Sequence, residues 1–315
     1  MDRTFAFSSQ VRDQSRRLAV AGLCIAVCSC TDTGGTAAPS HTIRMARTTS
    51  NELSRALERL PHVDAQVVAD GGSSITSLID LRSGKTDVAV PVADVAYLAY
   101  AGQLGEIAGR FDQLRGMAVT GLNPIHLLIS PRAKVRSLSD LAGHYVSLGA
   151  PGSSTALVTE RLLQAHGIPL TKVRAGKIPN GEMVKLLSKS DIDAAFTMFA
   201  TPSQQVMTVL KAGGRLIDID GPLVEEMRTQ YPYLKRMLIP AHTYPSQPNA
   251  VRTIGIDIAL VCRADLDDDL VYSLLEAYFA TRPEMTPPNL DRAPATPIPL
   301  HPGAARYYRQ RELTR

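Results

Sequence analysis

Short apolar runs alternate with helical segments along most of this chain, and the alternation limits the folds that the sequence can adopt. The runs at residues 65–69 and 87–91 are predicted strands, and the segment 75–81 between them has apolar residues at helical spacing. A further predicted strand at residues 145–148 is again followed by a predicted helix, at residues 156–165. Strands that alternate with helices favour parallel sheets with helices packed on their faces. We therefore predict an α/β protein.

Two apolar runs, at residues 125–130 and 254–261, indicate that the chain passes twice between two lobes. The first run leads into a block that ends near residue 250, and the second leads out of it. Residues 41–125 plus 255–315 would form a discontinuous first lobe, and residues 126–254 the second lobe. This layout predicts a two-lobed fold of the periplasmic-binding-protein kind (type II), with a hinge and an interlobe cleft. In α/β sheets, ligands bind at the carboxyl ends of strands.

Two predicted strand-to-helix turns, at residues 71–74 and 151–155, combine glycine with several hydroxyl side chains. Glycine lets the backbone approach a ligand closely, and the free N–H groups at a helix start attract anions. One hydroxyl in each turn is explained by capping of the helix. The remaining hydroxyls lead us to predict that both turns contact a ligand. The predicted ligand-binding hydroxyls are those of Ser73, Ser74, Ser153, Ser154 and Thr155.

Two tyrosines complete the predicted binding site. Tyr97 lies one helical turn after Asp94, and we expect its side chain to face the cleft, whereas Asp94 is expected to cap the helix. Tyr244 lies just before the second crossing between the lobes, where its hydroxyl and ring can meet an organic acid. The alternative is that Tyr244 is a packed residue of the hinge.

Composition and the absence of certain motifs exclude several classes of function. The chain has no tryptophan and only 5% aromatic residues, which argues against binding of sugars or single-stranded nucleic acids. Half of its net charge of +4 lies in residues 1–29, so the remainder gives no case for a nucleic-acid partner. There is no HExxH metal motif, no GxSxG nucleophile turn and no P-loop lysine. We predict a protein that is not an enzyme, without metal or cofactor; catalytic groups that converge from distant segments remain the alternative.

The first thirty residues have the pattern of an export signal. Arg16 and Arg17 precede an apolar segment at residues 18–28 that is too short to span a bilayer. The stretch Val27-Cys28-Ser29-Cys30 resembles a bacterial lipobox. We therefore predict a signal peptide at residues 1–29, lipid on Cys30, and a tether at residues 30–40. The expected location is the periplasm, anchored to the membrane by the lipid; an ordinary signal peptide that contains cysteines is the alternative.

Four further segments resemble the TAXI family (TRAP-associated extracytoplasmic immunogenic proteins), the solute-binding proteins of tripartite TRAP transporters. These segments are GGS through TDVA and DVAY at residues 71–97, SLSDLAG through GS at 137–153, TYP through LVY at 243–272, and IPLHPGA with RYY at 298–308. The resemblance covers about residues 60–310. It implies a two-lobed fold, capture of a small organic anion such as glutamate or a dicarboxylate, and delivery of that solute to a TRAP-type membrane permease.

The chain departs from this family in the turn after its first predicted strand. Where the family has a glycine-rich turn with tyrosines, residues 44–50 read RMARTTS. Arg44 or Arg47 can pair with a ligand carboxylate, or either can be a solvated surface arginine. The altered turn also keeps a second function open, in which a lipoprotein of the same fold acts as a sensor or adaptor through protein contacts.

Overall fold

The computed structural model describes most of the chain that follows the predicted tether. The described residues are 41–46, 52–70, 72–231, 233–282 and 292–313. The predicted signal peptide, Cys30 and the tether lie outside them, as do Arg47 and Gly71. Within the described ranges, no helix combines the length and the apolar character that crossing a lipid bilayer requires.

Strands form a central sheet, and helices pack on its two faces. The strands are β1 (His41–Ala46), β2 (Val63–Ala69), β3 (Val88–Ala89), β4 (Leu114–Ile129), β5 (Tyr145–Ser147), β6 (Arg174–Gly176), β7 (Ala194–Met198), β8 (Arg215–Ile217), β9 (Leu234–Ile239) and β10 (Val251–Arg263). The helices are α1 (Glu52–Leu57), α2 (Ser74–Arg82), α3 (Ala93–Ala101), α4 (Ser154–Ala165), α5 (Asn180–Lys189), α6 (Gln204–Lys211), α7 (Pro222–Gln230), α8 (Asp268–Ala280) and α9 (Pro302–Leu313).

The sheet has the strand order β2-β1-β3-β10-β4-β7-β5-β6, with β8 paired to β4 and β9 paired to β10. Strands β1, β2 and β3 are parallel and form a first strand group, while β5, β6 and β7 are parallel and form a second. The long strands β4 and β10 are antiparallel and connect the two groups. The sheet is therefore mixed rather than wholly parallel, because its two connecting strands run in opposite directions.

Strand β4 is longer than the sequence indicates. The sequence predicts two strands, at residues 114–120 and 125–130, whereas β4 runs without interruption from Leu114 to Ile129. Residues 121–124 stay extended because each of them pairs with a residue of β10. From residue 125 onward, β4 pairs with β7 instead. This change of partner strand lies beside residues 125 and 126, where the sequence predicts the boundary between the lobes. The boundary itself stays a prediction.

Alternating side chains of the central strands supply an apolar core on both faces of the sheet. Along β10, Ala259 and Val261 belong to one buried apolar cluster, while Leu260 and Cys262 belong to another on the opposite face. The first cluster contains side chains of α2 and α3 and also of α4 and β7. One continuous apolar core therefore serves both strand groups.

Serine hydroxyls cap α2 and α4 as the two predicted turns require. Ser73 accepts a hydrogen bond from a first-turn N–H of α2 (3.2 Å), and Ser153 does the same for α4 (3.3 Å). Helix α3 has Val92 at its N-cap, with no side-chain cap, and Asp94 lies inside its first turn. The prediction that Asp94 caps α3 is therefore wrong, because its carboxylate is turned towards α4.

Candidate ligand-binding site

The two strand groups point their carboxyl ends at each other. Strand β3 runs in the same direction as β4, since both are antiparallel to β10, and so it ends towards the middle of β4. Strand β7 runs against β4, and its last residue, Met198, pairs with Ile125, again near the middle of β4. Loops that follow both groups therefore meet over this point, which is where α/β sheets bind their ligands.

A cleft of about 710 Å³ lies at this meeting point. Its walls include Ala46 at the end of β1 and Val90 after β3 on one side, and Ala200 and Thr201 after β7 on the other. The polar and charged side chains on its wall are those of Glu52, Ser73, Ser74, Ser77, Thr120, Asn123, Thr201, Tyr278 and Arg282. The cleft is thus bounded by both strand groups and by the strands that connect them.

Ser73 and Ser74 lie on the cleft wall at the start of α2. The half-buried Ser73 hydroxyl lies 3.1 Å from the Thr76 hydroxyl, within the first turn of the helix. The Ser74 hydroxyl accepts a hydrogen bond from the Val92 N–H (3.0 Å), which ties α2 to the loop after β3. The start of α2 therefore lies at the cleft, where the positive end of the helix dipole favours a bound anion.

Two of the three hydroxyls at the start of α4, those of Ser153 and Ser154, are hydrogen-bonded to the protein itself. Ser153 donates to a backbone carbonyl of its own turn (2.7 Å), and Ser154 donates to the Asp94 carboxylate (2.7 Å). Thr155 is buried, packed against the turn at Gly149. These residues are not part of the cleft wall. The first predicted turn therefore faces the cleft, whereas Ser154 and Thr155 of the second are buried in the protein.

The two turns nevertheless lie close together. A Cβ added to Gly152 would be 3.3 Å from the Ser73 hydroxyl oxygen, and the Ser154 hydroxyl reaches Asp94 in the first turn of α3. The starts of α2 and α4 therefore lie side by side, and part of the contact between the two strand groups is direct. That both turns contact a ligand, as the sequence predicts, stays a prediction.

Asp94 is fully buried beneath this contact. Burial raises the pKa of its carboxyl to about 6, although the Ser154 hydroxyl and Arg161 act in the opposite direction. Arg161 also donates a hydrogen bond to the Tyr233 hydroxyl (2.7 Å). Tyr97 packs on Tyr233, with ring centroids 5.9 Å apart, and lines a separate pocket of about 190 Å³. The structure thus places Tyr97 outside the larger cleft.

Tyr244 packs in the interior rather than on the cleft wall. Its side chain is fully buried, and its hydroxyl lies 3.1 Å from Nε2 of His126 and accepts a hydrogen bond from the Ser203 N–H (3.3 Å). Burial raises the pKa of Tyr244 and lowers that of His126 to about 4, so both rings are neutral near pH 7. This is the position expected of a packed residue that supports the loop after β7.

The cleft wall also carries two charged residues, Arg282 and Glu52, that the sequence patterns did not indicate as site residues. Arg282 follows α8 and donates through Nη1 to the Thr120 carbonyl oxygen (2.8 Å) and to the Tyr278 hydroxyl (2.9 Å). Of the described residues that line the cleft, it is the one arginine or lysine. Its only signal in the sequence is its place just after residues 266–280, where the apolar pattern predicts a helix.

Arg44 lies away from the cleft wall and pairs with a carboxylate of the protein. Its Nε and Nη2 donate to Asp87 (2.9 Å and 2.7 Å), its backbone N–H donates to the same side chain (2.7 Å), and Arg263 adds a further hydrogen bond (3.0 Å). Burial opposes the ionisation of Asp87, but these hydrogen bonds outweigh it and lower the pKa of the carboxyl. The sequence leaves open whether Arg44 pairs with a ligand carboxylate or is solvated. In the structure it pairs with Asp87.

The structure has two strand groups joined by two long strands, and a cleft lies where the carboxyl ends of the two groups meet. This arrangement defines the two-lobed fold of periplasmic binding proteins. The profile of the NMT1-like family matches residues 44–311, and the chain belongs to this family.

Solved structures confirm the predicted two-lobed α/β fold. The alkanesulfonate-binding protein SsuA from Xanthomonas axonopodis pv. citri, bound to MOPS, is similar at a TM-score of 0.51 and 14% identity, over 86% of this chain and 84% of that chain. A protein of Xanthomonas citri bound to ATP is similar at a TM-score of 0.52 and 15% identity, over 85% of this chain and 94% of that chain. Identities this low establish the fold and leave the ligand to be argued from the site.

Proposed function

We propose that this chain is the extracytoplasmic solute-binding subunit of a TRAP-type transporter and captures a small organic anion. The observation that carries the proposal is the cleft of about 710 Å³, in which the start of α2 and Arg282 both favour negative charge. The resemblance to the TAXI family supports glutamate or a dicarboxylate as the ligand and a TRAP-type permease as the partner. The similar proteins from Xanthomonas bind MOPS and ATP, which also carry anionic groups.

Capture depends on contacts to both lobes. The Ser73 and Ser74 hydroxyls approach the solute from the first lobe, and Thr201 approaches it from the second, while Arg282 supplies charge beside the connecting strands. A solute that touches both lobes stabilises the closed form, and the permease then recognises that form. Tyr244 supports the loop after β7 through its hydrogen bond with the Ser203 N–H.

The proposed location is the periplasm, with Cys30 lipidated after removal of residues 1–29 and residues 30–40 as the tether. This follows from the lipobox-like stretch at residues 27–30 and from the charged and apolar segments that precede it. A lipid on Cys30 would keep the receptor beside the permease that it supplies.

A sensor or adaptor lipoprotein with the same fold is the second candidate. Two observations favour it: the altered turn at residues 44–50, and the α4 start, whose Ser154 hydroxyl is engaged by Asp94. Calorimetric titration of the purified protein with glutamate and a panel of dicarboxylates separates the two. Heat of binding for at least one acid supports the receptor, whereas silence across the whole panel supports the adaptor.

Two matched cap variants test which helix start binds the solute. Ser73→Ala and Ser153→Ala each remove an N-cap, so each should lower stability by about 1 kcal/mol. Only Ser73→Ala should weaken anion binding, by roughly tenfold, because a hydrogen bond to a charged group contributes about 1.5–3 kcal/mol. Titration of both variants with the best acid of the panel makes the comparison. Equal losses in the two variants would contradict the assignment of the cleft.

A further inference from the structure

The sequence predicts that the hydroxyls at the start of α4 bind a ligand. In the structure, the Asp94 carboxylate is hydrogen-bonded to one of them, that of Ser154. Oδ2 of Asp94 accepts a 2.7 Å hydrogen bond from the Ser154 hydroxyl, and its Oδ1 accepts one from the Val95 N–H, also at 2.7 Å. Asp94 and Ser154 are both buried. Because a helix start favours negative charge, the carboxylate of the protein itself fills a place that suits an anion.

This contact joins the two lobes. Asp94 lies in α3, which follows β3 of the first strand group, and Ser154 begins α4, which follows β5 of the second strand group. Beside it, Gly152 of the second lobe packs against Ser73 of the first, where an added Cβ would lie 3.3 Å from the hydroxyl oxygen. Opening of the lobes would have to break the hydrogen bond between Asp94 and Ser154 and return the carboxyl group to water.

We propose that Asp94 and the start of α4 form a latch that holds the lobes closed and weakens as the pH rises. The inference rests on the proposed function in one respect, since closure is the step that would trap a solute. The latch itself is made of protein groups alone and can be measured without any solute.

The groups around Asp94 explain the direction of the pH effect. Burial dominates and raises the pKa of Asp94 to about 6, whereas the Ser154 hydroxyl, the Val95 N–H and Arg161 of α4 favour the ionised form. The Tyr233 hydroxyl, which Arg161 also contacts, interacts with Asp94 as well. A carboxyl exposed by opening would titrate near its ordinary pKa of about 3.9. The closed form therefore binds the proton more tightly, and its advantage, complete below about pH 4, is lost as the pH rises through 6. Linkage predicts a closed-to-open ratio roughly tenfold lower at pH 8 than at pH 5.

Hydrogen exchange of the purified protein, with no solute added, measures this opening. After correction for the intrinsic rate, peptides from the start of α4 should be protected roughly tenfold more at pH 5 than at pH 8. Peptides from α6 report changes in overall stability and serve as the internal reference. Asp94→Asn keeps an oxygen acceptor for Ser154 but no longer titrates, so its protection relative to α6 should be the same at both pH values.

Two further variants remove the latch. Asp94→Ala and Ser154→Ala should each lower the protection of the α4 start relative to α6. Ser154→Ala leaves Asp94 in place, so it decides the matter if Asp94→Ala does not fold. The proposal is overturned if Asp94→Asn retains the wild-type pH profile, or if Ser154→Ala is protected as strongly as the wild type.

Solute titration keeps the two proposals apart. A protein that shows the latch but binds no organic anion contradicts the proposed receptor function and leaves the latch standing. A protein that binds an anion and shows no pH-dependent protection of the α4 start contradicts the latch and leaves the receptor standing.

Discussion

Replacement of Asp87 by alanine should lower the free energy of unfolding by about 2–4 kcal/mol, because it leaves two arginines without their buried carboxylate. The Asp87 side chain is only 5% exposed and accepts hydrogen bonds from the Arg44 and Arg263 guanidinium groups. It also accepts the Arg44 backbone N–H, so one side chain holds β1 beside the start of β3. Urea unfolding followed by circular dichroism measures the loss.

Asp80→Ala is the matched control. Asp80 pairs with the half-exposed Lys85 at 3.2 Å, and an ion pair of this kind contributes at most about 1 kcal/mol. A variant of Asp87 that unfolds at the same urea concentration as the Asp80 variant would contradict the role assigned to the buried cluster.

The effect of Asp87 also has a defined pH dependence. Its pKa is lowered in the folded chain, so its contribution is present above the ordinary carboxyl pKa of about 3.9 and is lost as the pH falls through the folded value. The difference in stability between the wild type and Asp87→Ala should therefore be full at pH 7 and shrink below about pH 4. This is opposite in sign to the expectation for Asp94, whose pKa is raised.

Arg282→Gln should weaken the binding of an organic anion by about 100-fold, since loss of one partner of a hydrogen-bonded charge pair costs roughly 2–5 kcal/mol. Arg282 is the one arginine or lysine among the described residues that line the cleft, and its hydrogen bonds to Thr120 and Tyr278 fix its position there. Calorimetric titration at low and high salt measures the loss. The salt dependence of binding should also decrease, because the variant lacks the positive charge.

Arg252→Gln controls for the removal of an arginine as such. Arg252 lies on β10, pairs with Asp218 and does not line the cleft, so its loss should leave anion affinity within about twofold. Circular dichroism shows whether the Arg282 variant is folded, since that residue also bonds to Thr120 and Tyr278. A folded Arg282→Gln that binds the anion as tightly as the wild type would remove Arg282 from the site.

The amino-acid pattern was sufficient for the fold class and for the local geometry of the two turns. Alternation of apolar strands and amphipathic segments predicts α/β structure, and glycine followed by serine predicts the capped starts of α2 and α4. These features depend on neighbours within a few residues, so the sequence states them directly. The sequence patterns do not give the helices α5, α6 and α7 or the strands β6 and β9. Strand β9 is an edge strand, defined by its pairing with β10 rather than by an apolar run.

Tertiary structure alone decided what each charged or hydroxyl side chain contacts. The partner of Ser154 is Asp94, sixty residues away, and the partner of Arg44 is Asp87, forty-three residues away. Arg282 reaches the cleft wall only because the segment after α8 packs against Thr120 of β4, far away in the sequence. A hydrogen bond or an ion pair acts over a few ångströms, so its partner is known only when the packing has brought distant segments together. The sequence by itself thus determined the two helix starts. The packing determined that one faces the cleft, while Ser154 of the other is hydrogen-bonded to Asp94.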